Sequence, residues 1–274
     1  MLSVNTNMGA MVALQYLNNT NAQLQSTQNA INSGLKVATA KDDGATFAIA
    51  QDMRGDLAGY SAVTDSLHRA VSAVDVALSA GQSISDLLIQ MKQKAAAASD
   101  QSLDTANREA LNEDFTALRD QITSIISNAV FNGFNLIDGS TGQITALASS
   151  DGTRKITVQA ENLGLSGSIV TISKTGSIIT QSNASAMIAT VEKSLTNVNS
   201  ALARLSSGER KYSVQIDFVQ KLSDTVSSGI GNLVDADMAK ESARLQSLQV
   251  KQQLGVQALS IANTSPQIIM SLFR

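Results

Sequence analysis

From Tyr60 to Ala98 the chain repeats a core-type residue at alternating steps of three and four: Tyr60, Val63, Leu67, Ala70, Val74, Ala77, Gly81, Ile84, Leu88, Met91, Ala95 and Ala98. A mean spacing of 3.5 keeps all of these on one stripe of an α-helix, whereas a strand would need a period of two. At about 1.5 Å per residue the stripe is a rod of roughly 60 Å. Gly81 alone breaks the apolar run. A second stripe, Leu111, Phe115, Leu118, Ile122, Ile125 and Ala129, ends at Phe131-Asn132-Gly133-Phe134-Asn135, where Asn-Gly signals a turn. The third runs Ile188, Val191, Leu195, Val198, Leu202, Leu205, Glu209, Tyr212, Ile216, Val219, Ser223, Val226, Ile230 and Leu233, with polar residues only at Glu209 and Ser223. Proline in a helix interior kinks or breaks it, and none falls within these three stripes. The chain has one, Pro266, in 274 residues.

Three such stripes predict a mainly α fold: an elongated, coiled-coil-like helical bundle with paired N- and C-terminal helices. Six Phe, three Tyr and no Trp leave the core to aliphatic residues and alanine, so the rods must be slender. From Leu136 to Ser185 the composition shifts to glycine, with β-branched clusters at Ile156-Thr157-Val158 and Ile169-Val170-Thr171-Ile172. Asp151-Gly152, between Ile144-Thr145-Ala146 and Ile156-Thr157-Val158, reads as the turn of a hairpin. This small β-rich insertion is rich in Ser and Thr and is expected to be exposed. At the N-terminus Ala10, Leu17, Leu24 and Ile31 recur every seven residues, with Leu14, Asn21 and Gln28 in the intervening slots. The C-terminal helix carries one stripe through Met238, Leu245, Leu248, Leu259, Ala262 and Ile269, and another through Val250, Leu254, Ile261 and Ile268. A helix that is apolar on two sides needs neighbours on two sides.

The same composition excludes most chemistry. A net charge of −3 argues against a nucleic-acid partner. With no cysteine there are no disulfides, thiolate metal sites or thiol nucleophiles. The single histidine, His68, sits beside a rod stripe as an ordinary helix residue. The acids of Asp235-Ala236-Asp237 lack the spacing of a Ca²⁺ loop and suit a helix N-terminus. Gly164 and Gly167 lack the context of a phosphate loop, the methionines are core filler, and Lys92 and Lys94 lie on a solvated face. The expectation is a non-enzyme with no cofactor, no metal and no membrane partner. Met1 to Asn7 does not begin like a signal peptide, which on its own would imply a cytoplasmic protein.

Two termini then become recognisable together. Ile31-Asn32-Ser33-Gly34-Leu35-Lys36, followed by Ala40-Lys41-Asp42-Asp43-Gly44-Ala45 and Ala48-Ile49-Ala50, resembles the N-terminal signature of bacterial flagellin, and Phe131-Asn132-Gly133 with Leu136 resembles the element closing its N-terminal half. Val234-Asp235-Ala236-Asp237-Met238-Ala239-Lys240-Glu241, Ala262-Asn263-Thr264-Ser265-Pro266-Gln267 and Ser271-Leu272-Phe273-Arg274 resemble the family's C-terminal segments. The resemblance covers residues 1–137 and 184–274. It implies a structural subunit of the helical flagellar filament, a homopolymer, for swimming motility. Residues 1–40 with 231–274 would form an inner layer of terminal helices. Residues 41–230 would form a rod layer that includes the 136–185 insertion, with no large outer domains. Self-assembly would fall to Leu14, Leu17, Leu24, Ile31, Leu245, Leu248, Leu254, Ile261, Ile268 and Leu272.

The resemblance also implies partners: further copies of the chain, an export chaperone at the C-terminal segment, and the filament cap and hook–filament junction proteins. It implies secretion through the flagellar type III apparatus without a cleaved signal peptide, which replaces the cytoplasmic expectation. The alternatives are a hook–filament junction protein of the same family and a secreted coiled-coil interaction protein. One departure stands out. Where the family often carries Arg-x-Arg-Glu-Leu, the element read by the host innate-immune flagellin receptor, this chain has Gln90-Met91-Lys92-Gln93-Lys94.

Overall fold

The computed structural model describes residues 6–272, with side chains described for residues 6–264. It is mainly α: helices α1 (Met8–Ser33), α2 (Gly44–Ala98), α3 (Thr105–Asn128), α4 (Gln181–Val234) and α5 (Met238–Leu272), with strands β1 (Gln143–Leu147) and β2 (Lys155–Gln159). The chain forms two compact units. One is Asp56–Asp224; the other joins the residues up to Gly55 with those from Thr225 on.

In the Asp56–Asp224 unit every expected α2 position from Val63 to Ala98 is buried. α2 and α4 run antiparallel, linked by Lys92 and Glu192 at 3.3 Å and by Ser85 Oγ and Asn199 Oδ1 at 3.3 Å. Lys94 pairs with Asp114 of α3 at 2.6 Å, so both lysines of the supposed solvated face hold neighbouring helices. At such exposure each pair contributes well under 1 kcal/mol and serves mainly to set register. The turn from α2 to α3 is gathered by Arg108, whose guanidinium donates to the carbonyls of Ala98, Asp100 and Leu103 at 2.9, 3.0 and 3.1 Å. Asp104 then caps α3 by accepting from the Asn107 amide at 2.7 Å.

The Asn-Gly signal after α3 is a tight turn. The amides and carbonyls of Phe131 and Phe134 bond each other at 2.9 Å, with Asn132 and Gly133 both at positive φ (49° and 83°). Two consecutive left-handed residues are what a type I′ turn requires. Next to it the buried Asn135 side chain donates to the Ile126 carbonyl at 2.6 Å and accepts from the Ile137 amide at 2.9 Å, tying the chain back onto α3.

The hairpin forms as expected, with Ile144 opposite Val158 and the strands antiparallel. Hydrogen bonds from the Ser149 hydroxyl and from Thr153 hold the Asp151 carboxyl down at about 2 in the connecting loop. The hairpin is fastened to the helices by Tyr212 Oη, which donates to the Ile144 carbonyl at 2.9 Å, and by Gln215 Nε2, which donates to the Ala148 carbonyl at 3.1 Å. Burial pushes the Tyr212 phenol up to about 12.

Two expectations need correction. The insertion is not simply exposed, because Leu163, Leu165, Val170, Ile172 and Ile178 are buried in the main core. Its apolar residues are spaced irregularly yet still cover the helices. Ile169-Val170-Thr171-Ile172 forms no strand; the Thr171 amide instead donates to the buried Ser194 hydroxyl at 3.0 Å. The α4 stripe is also rotated from the expected one. Its deepest intervening slots are Ser194, Ala201 and Gly208, while Leu195, Leu202 and Glu209 are half-buried at the flank. Small residues take these slots because neighbouring side chains approach too closely for leucine. A Cβ on Gly208 would lie 2.5 Å from Val158 Cγ1, and one on Gly81 would lie 2.5 Å from Leu202 Cδ2.

The two glycines should respond differently to alanine. Gly81→Ala gains about 1 kcal/mol of helix propensity and meets only a rotatable leucine methyl, so thermal unfolding by circular dichroism should change little. Gly208→Ala meets stiff, β-branched Val158 and should lower the midpoint, with overpacking costing about 1–3 kcal/mol. Tyr212→Phe should cost about 1 kcal/mol at neutral pH through the lost hydrogen bond. Because the folded phenol titrates at about 12 against an ordinary 10.0, its contribution is complete below pH 10 and is lost as pH rises toward 12. Alkaline titration of stability should therefore be shallower in the phenylalanine variant.

Candidate self-assembly surface

The second unit is built on α1 and α5, which pair antiparallel. Asn7 caps α1, its Oδ1 accepting from the Ala10 amide at 3.0 Å, while its Nδ2 reaches across to the Ala262 carbonyl at 2.7 Å. Midway, Gln252 Nε2 donates to Asn21 Oδ1 at 2.7 Å. At the base α1 stops at Gly34, whose φ of 72° is left-handed and favours glycine. The chain then bridges to the end of α4: the Lys36 amide donates to the Val234 carbonyl and the Ala236 amide to the Gly34 carbonyl, each at 2.8 Å.

The acids of the terminal motifs are caps. Asp237 Oδ1 accepts from the amides of Ala239 and Lys240 at 3.0 and 3.1 Å and starts α5. Asp43 does the same for α2 through Ala45 and Thr46, and the hydrogen bonds from Thr46 lower its pKa. Asp42 closes the preceding turn by accepting from Ala38 and Thr39, and its pKa is lowered by the Thr39 hydrogen bonds. Each carboxylate is satisfied by main-chain amides.

The seam between α1 and α5 differs from the expected one in its intervening slots. The inward residues of α1 are Ala10, Ala13, Leu17, Thr20, Leu24, Thr27 and Ile31, whereas Leu14, Asn21 and Gln28 are exposed. On α5 they are Leu245, Leu248, Gln252, Gly255, Leu259 and Ala262. Alanine and threonine face the partner helix because the two approach closely. A Cβ on Gly255 would stand 3.2 Å from Leu17 Cδ1.

This geometry divides the expected assembly residues into two sets. Leu17, Leu24, Ile31, Leu245 and Leu248 lie in the seam within the chain, Leu248 fully buried and the others half-buried. Leu14, Leu254 and Ile261 face outward, the last two each 63% exposed. Ile268 and Leu272 lie outside the residues with described side chains. Met8, Met11, Val12, Tyr16 and Val256 are exposed as well, and none falls in the apolar stripes of the terminal helices. Tyr16 is 69% exposed. Their signal was present, as large apolar residues off the seven-residue repeat.

Outward apolar side chains this dense are uncommon on a surface meant for water. Among the described residues no group of three or more His, Asp or Glu side chains gathers to hold a metal ion, and no helix is long and apolar enough to cross a membrane. What the terminal pair shows is an uncovered apolar face.

Comparison with known proteins names the class. Residues 4–142 match the bacterial flagellin N-terminal helical region, and residues 188–273 match the bacterial flagellin C-terminal helical region. The chain belongs to the bacterial flagellin family. It is 51% identical over 272 residues to flagellin FljK of Caulobacter vibrioides, covering 99% of this chain and 98% of that one. Two solved structures share the fold. Bacillus cereus flagellin does so with a TM-score of 0.50 and 19% identity, over 56% of this chain and 88% of that one. A putative flagellar hook-associated protein from Vibrio parahaemolyticus does so with a TM-score of 0.59 and 11% identity, over 71% of this chain and all of that one. At that identity the hook-associated likeness is one of fold, while the full-length match is to a flagellin.

This flagellin is therefore a structural subunit that self-polymerises into the extracellular flagellar filament, and not an enzyme. The two sets of terminal residues should separate in experiment. Leu248→Ala should loosen the α1–α5 pair by about 2 kcal/mol or more. Leu254→Ala should leave the monomer within about 0.5 kcal/mol of the parent. Hydrogen exchange of α5 amides in the monomer measures both.

Proposed function

We propose that the terminal pair works in two stages, with the seam closing within each chain and the outward face being covered by neighbouring copies in the filament. Leu17, Leu24, Ile31, Leu245 and Leu248 serve the first stage, and Leu14, Leu254, Ile261, Ile268 and Leu272 the second. The exposure of Tyr16, Leu254 and Ile261 on a polymer-forming chain is the observation that carries this assignment. Burying a large aliphatic side chain contributes on the order of 1.5–3 kcal/mol, and fixing the backbone costs about 1–2 kcal/mol per residue. A pair of helices sharing one thin seam is thus only marginally ordered alone and gains order from neighbours.

In this proposal residues 1–40 with 231–274 make the inner layer and 41–230 the rod layer, with the 136–185 insertion as its β-element. That insertion is too short for large outer domains. Type III export without a cleaved signal, a chaperone on the C-terminal segment, and contacts with cap and junction proteins belong to the same proposal. The exposed apolar C-terminal helix supports the chaperone assignment, because such a surface needs cover before assembly. A chain without cysteine also suits passage unfolded, since no cross-link can form on the way.

The double variant Tyr16→Glu, Leu254→Glu should abolish growth on filament seeds, seen by electron microscopy, with the thermal midpoint of the monomer unchanged. Growth at the parent rate would refute the outward assignment. Limited proteolysis of free monomer should trim both ends and leave a resistant fragment near 41–230 that does not polymerise; equal protection of the termini would exclude ordering on assembly. In a receptor reporter assay the chain should be a weak activator, because Met91 is buried and Lys92 and Lys94 are engaged with Glu192 and Asp114.

A further inference from the structure

Away from the terminal helices, the Asp56–Asp224 unit carries two features that its own packing leaves unused. The first is a groove of about 470 Å³ between α2, the Phe131–Phe134 turn and β1, lined by Arg69, Ala70, Ala73, Phe131, Phe134 and Ile144. Phe134 is half-exposed on its wall, and the Arg69 guanidinium has no ion-pair or hydrogen-bond partner among the described residues. The second is a ridge on the outer side of α4. Val214 and Phe218 are 64% and 57% exposed, although they lie one turn apart on a helix whose opposite side is core. Asp217 lies on the same face, and it too lacks a partner among the described residues.

We propose that the Val214–Asp217–Phe218 ridge of one copy docks in the Arg69–Phe131–Phe134 groove of the next. Three properties fit together. A cavity of about 150 Å³ is enough for a benzene ring, so the groove has room for a phenyl and an isopropyl group side by side. The ridge offers those two groups at i and i+4, on one face of a rigid helix. The lone carboxylate at Asp217 matches the lone guanidinium at Arg69, which can clasp it in bidentate fashion. The Lys92–Glu192 and Ser85–Asn199 register also sets Arg69 level with the Val214 turn, so two copies could meet side by side at one height. Ridge and groove are different surfaces, so the contact is heterologous and can be repeated from copy to copy. It rests on the filament-subunit function and adds a contact in the rod to those of the terminal helices.

The absence of native cysteine permits a direct test in the full chain. Asp217→Cys and Arg69→Cys chains are mixed in equal amounts, grown on seeds and treated with a bis-maleimide whose span matches an arginine–aspartate pair. The expected result is a mixed cross-linked dimer from the mixture and none from either variant alone, since only a ridge meeting a groove brings the two thiols within that span. In parallel, Arg69→Glu and Asp217→Arg should each raise the critical concentration for growth about tenfold, and the double reversal should recover most of that loss. Both positions are exposed, so monomer melting should not change; if it does, the cross-linking result decides. Filaments of the mixture without the mixed dimer, or single reversals that grow like the parent, would overturn this contact while leaving self-assembly intact. A parent chain that does not grow on seeds would overturn both.

Discussion

Close approach is the constraint on which the structure depends. A chain with few aromatics cannot fill wide gaps between helices, so its helices must come near enough for aliphatic side chains to meet. That distance is reached by placing glycine, alanine, serine or threonine at the crossing points. Gly81 takes the end of Leu202, Gly208 takes Val158, and Gly255 takes Leu17. Ser194 and Thr27 are buried for the same reason, and the Ser194 hydroxyl donates to the Thr190 carbonyl at 2.8 Å. The cost is conformational, since glycine within a helix is about 1 kcal/mol worse than alanine. It is offset by the apolar area that the nearer helix covers.

The two units use this device with different results. In the Asp56–Asp224 unit α2, α3, α4 and the insertion surround one continuous core, and the largest buried side chains all lie there. The terminal pair has a seam and little else: Leu248 and Thr27 are its fully buried residues among those described, and large apolar groups remain on the outer side. Within the chain, one unit thus has a closed core and the other leaves large apolar side chains uncovered.

Much of this was legible in the residues. The α2 stripe from Val63 to Ala98 could be written down position by position, because a strict 3.5 repeat leaves no second interpretation. The hairpin followed from Asp151-Gly152 between β-branched triplets. What misled was ranking by hydrophobicity. Choosing Leu195 over Ser194, or Leu14 over Ala13 and Thr20, treats the core as a place for the most apolar residue. Where helices touch, volume decides before polarity, and the leucine moves to the flank or out to the surface. The same preference hid part of the exposed apolar face, because Met8, Val12 and Tyr16 fell outside the repeat and received no role. Burial in the insertion was hidden for another reason, as Leu163, Val170 and Ile178 follow no period at all and are placed by contacts distant in sequence.

The Leu17–Gly255 contact has one more consequence. Along an apolar seam the usual danger is slippage by a heptad, since every leucine finds another leucine one repeat away. Here a slip of seven would set Leu17 against Leu248 or against Ala262. The first is a collision of two large side chains, and the second leaves the leucine facing a wider residue than the notch it came from. Side-chain volume therefore acts as a key cut into the seam, and the two ends of the chain, 238 residues apart at this contact, can find a single alignment whenever they meet.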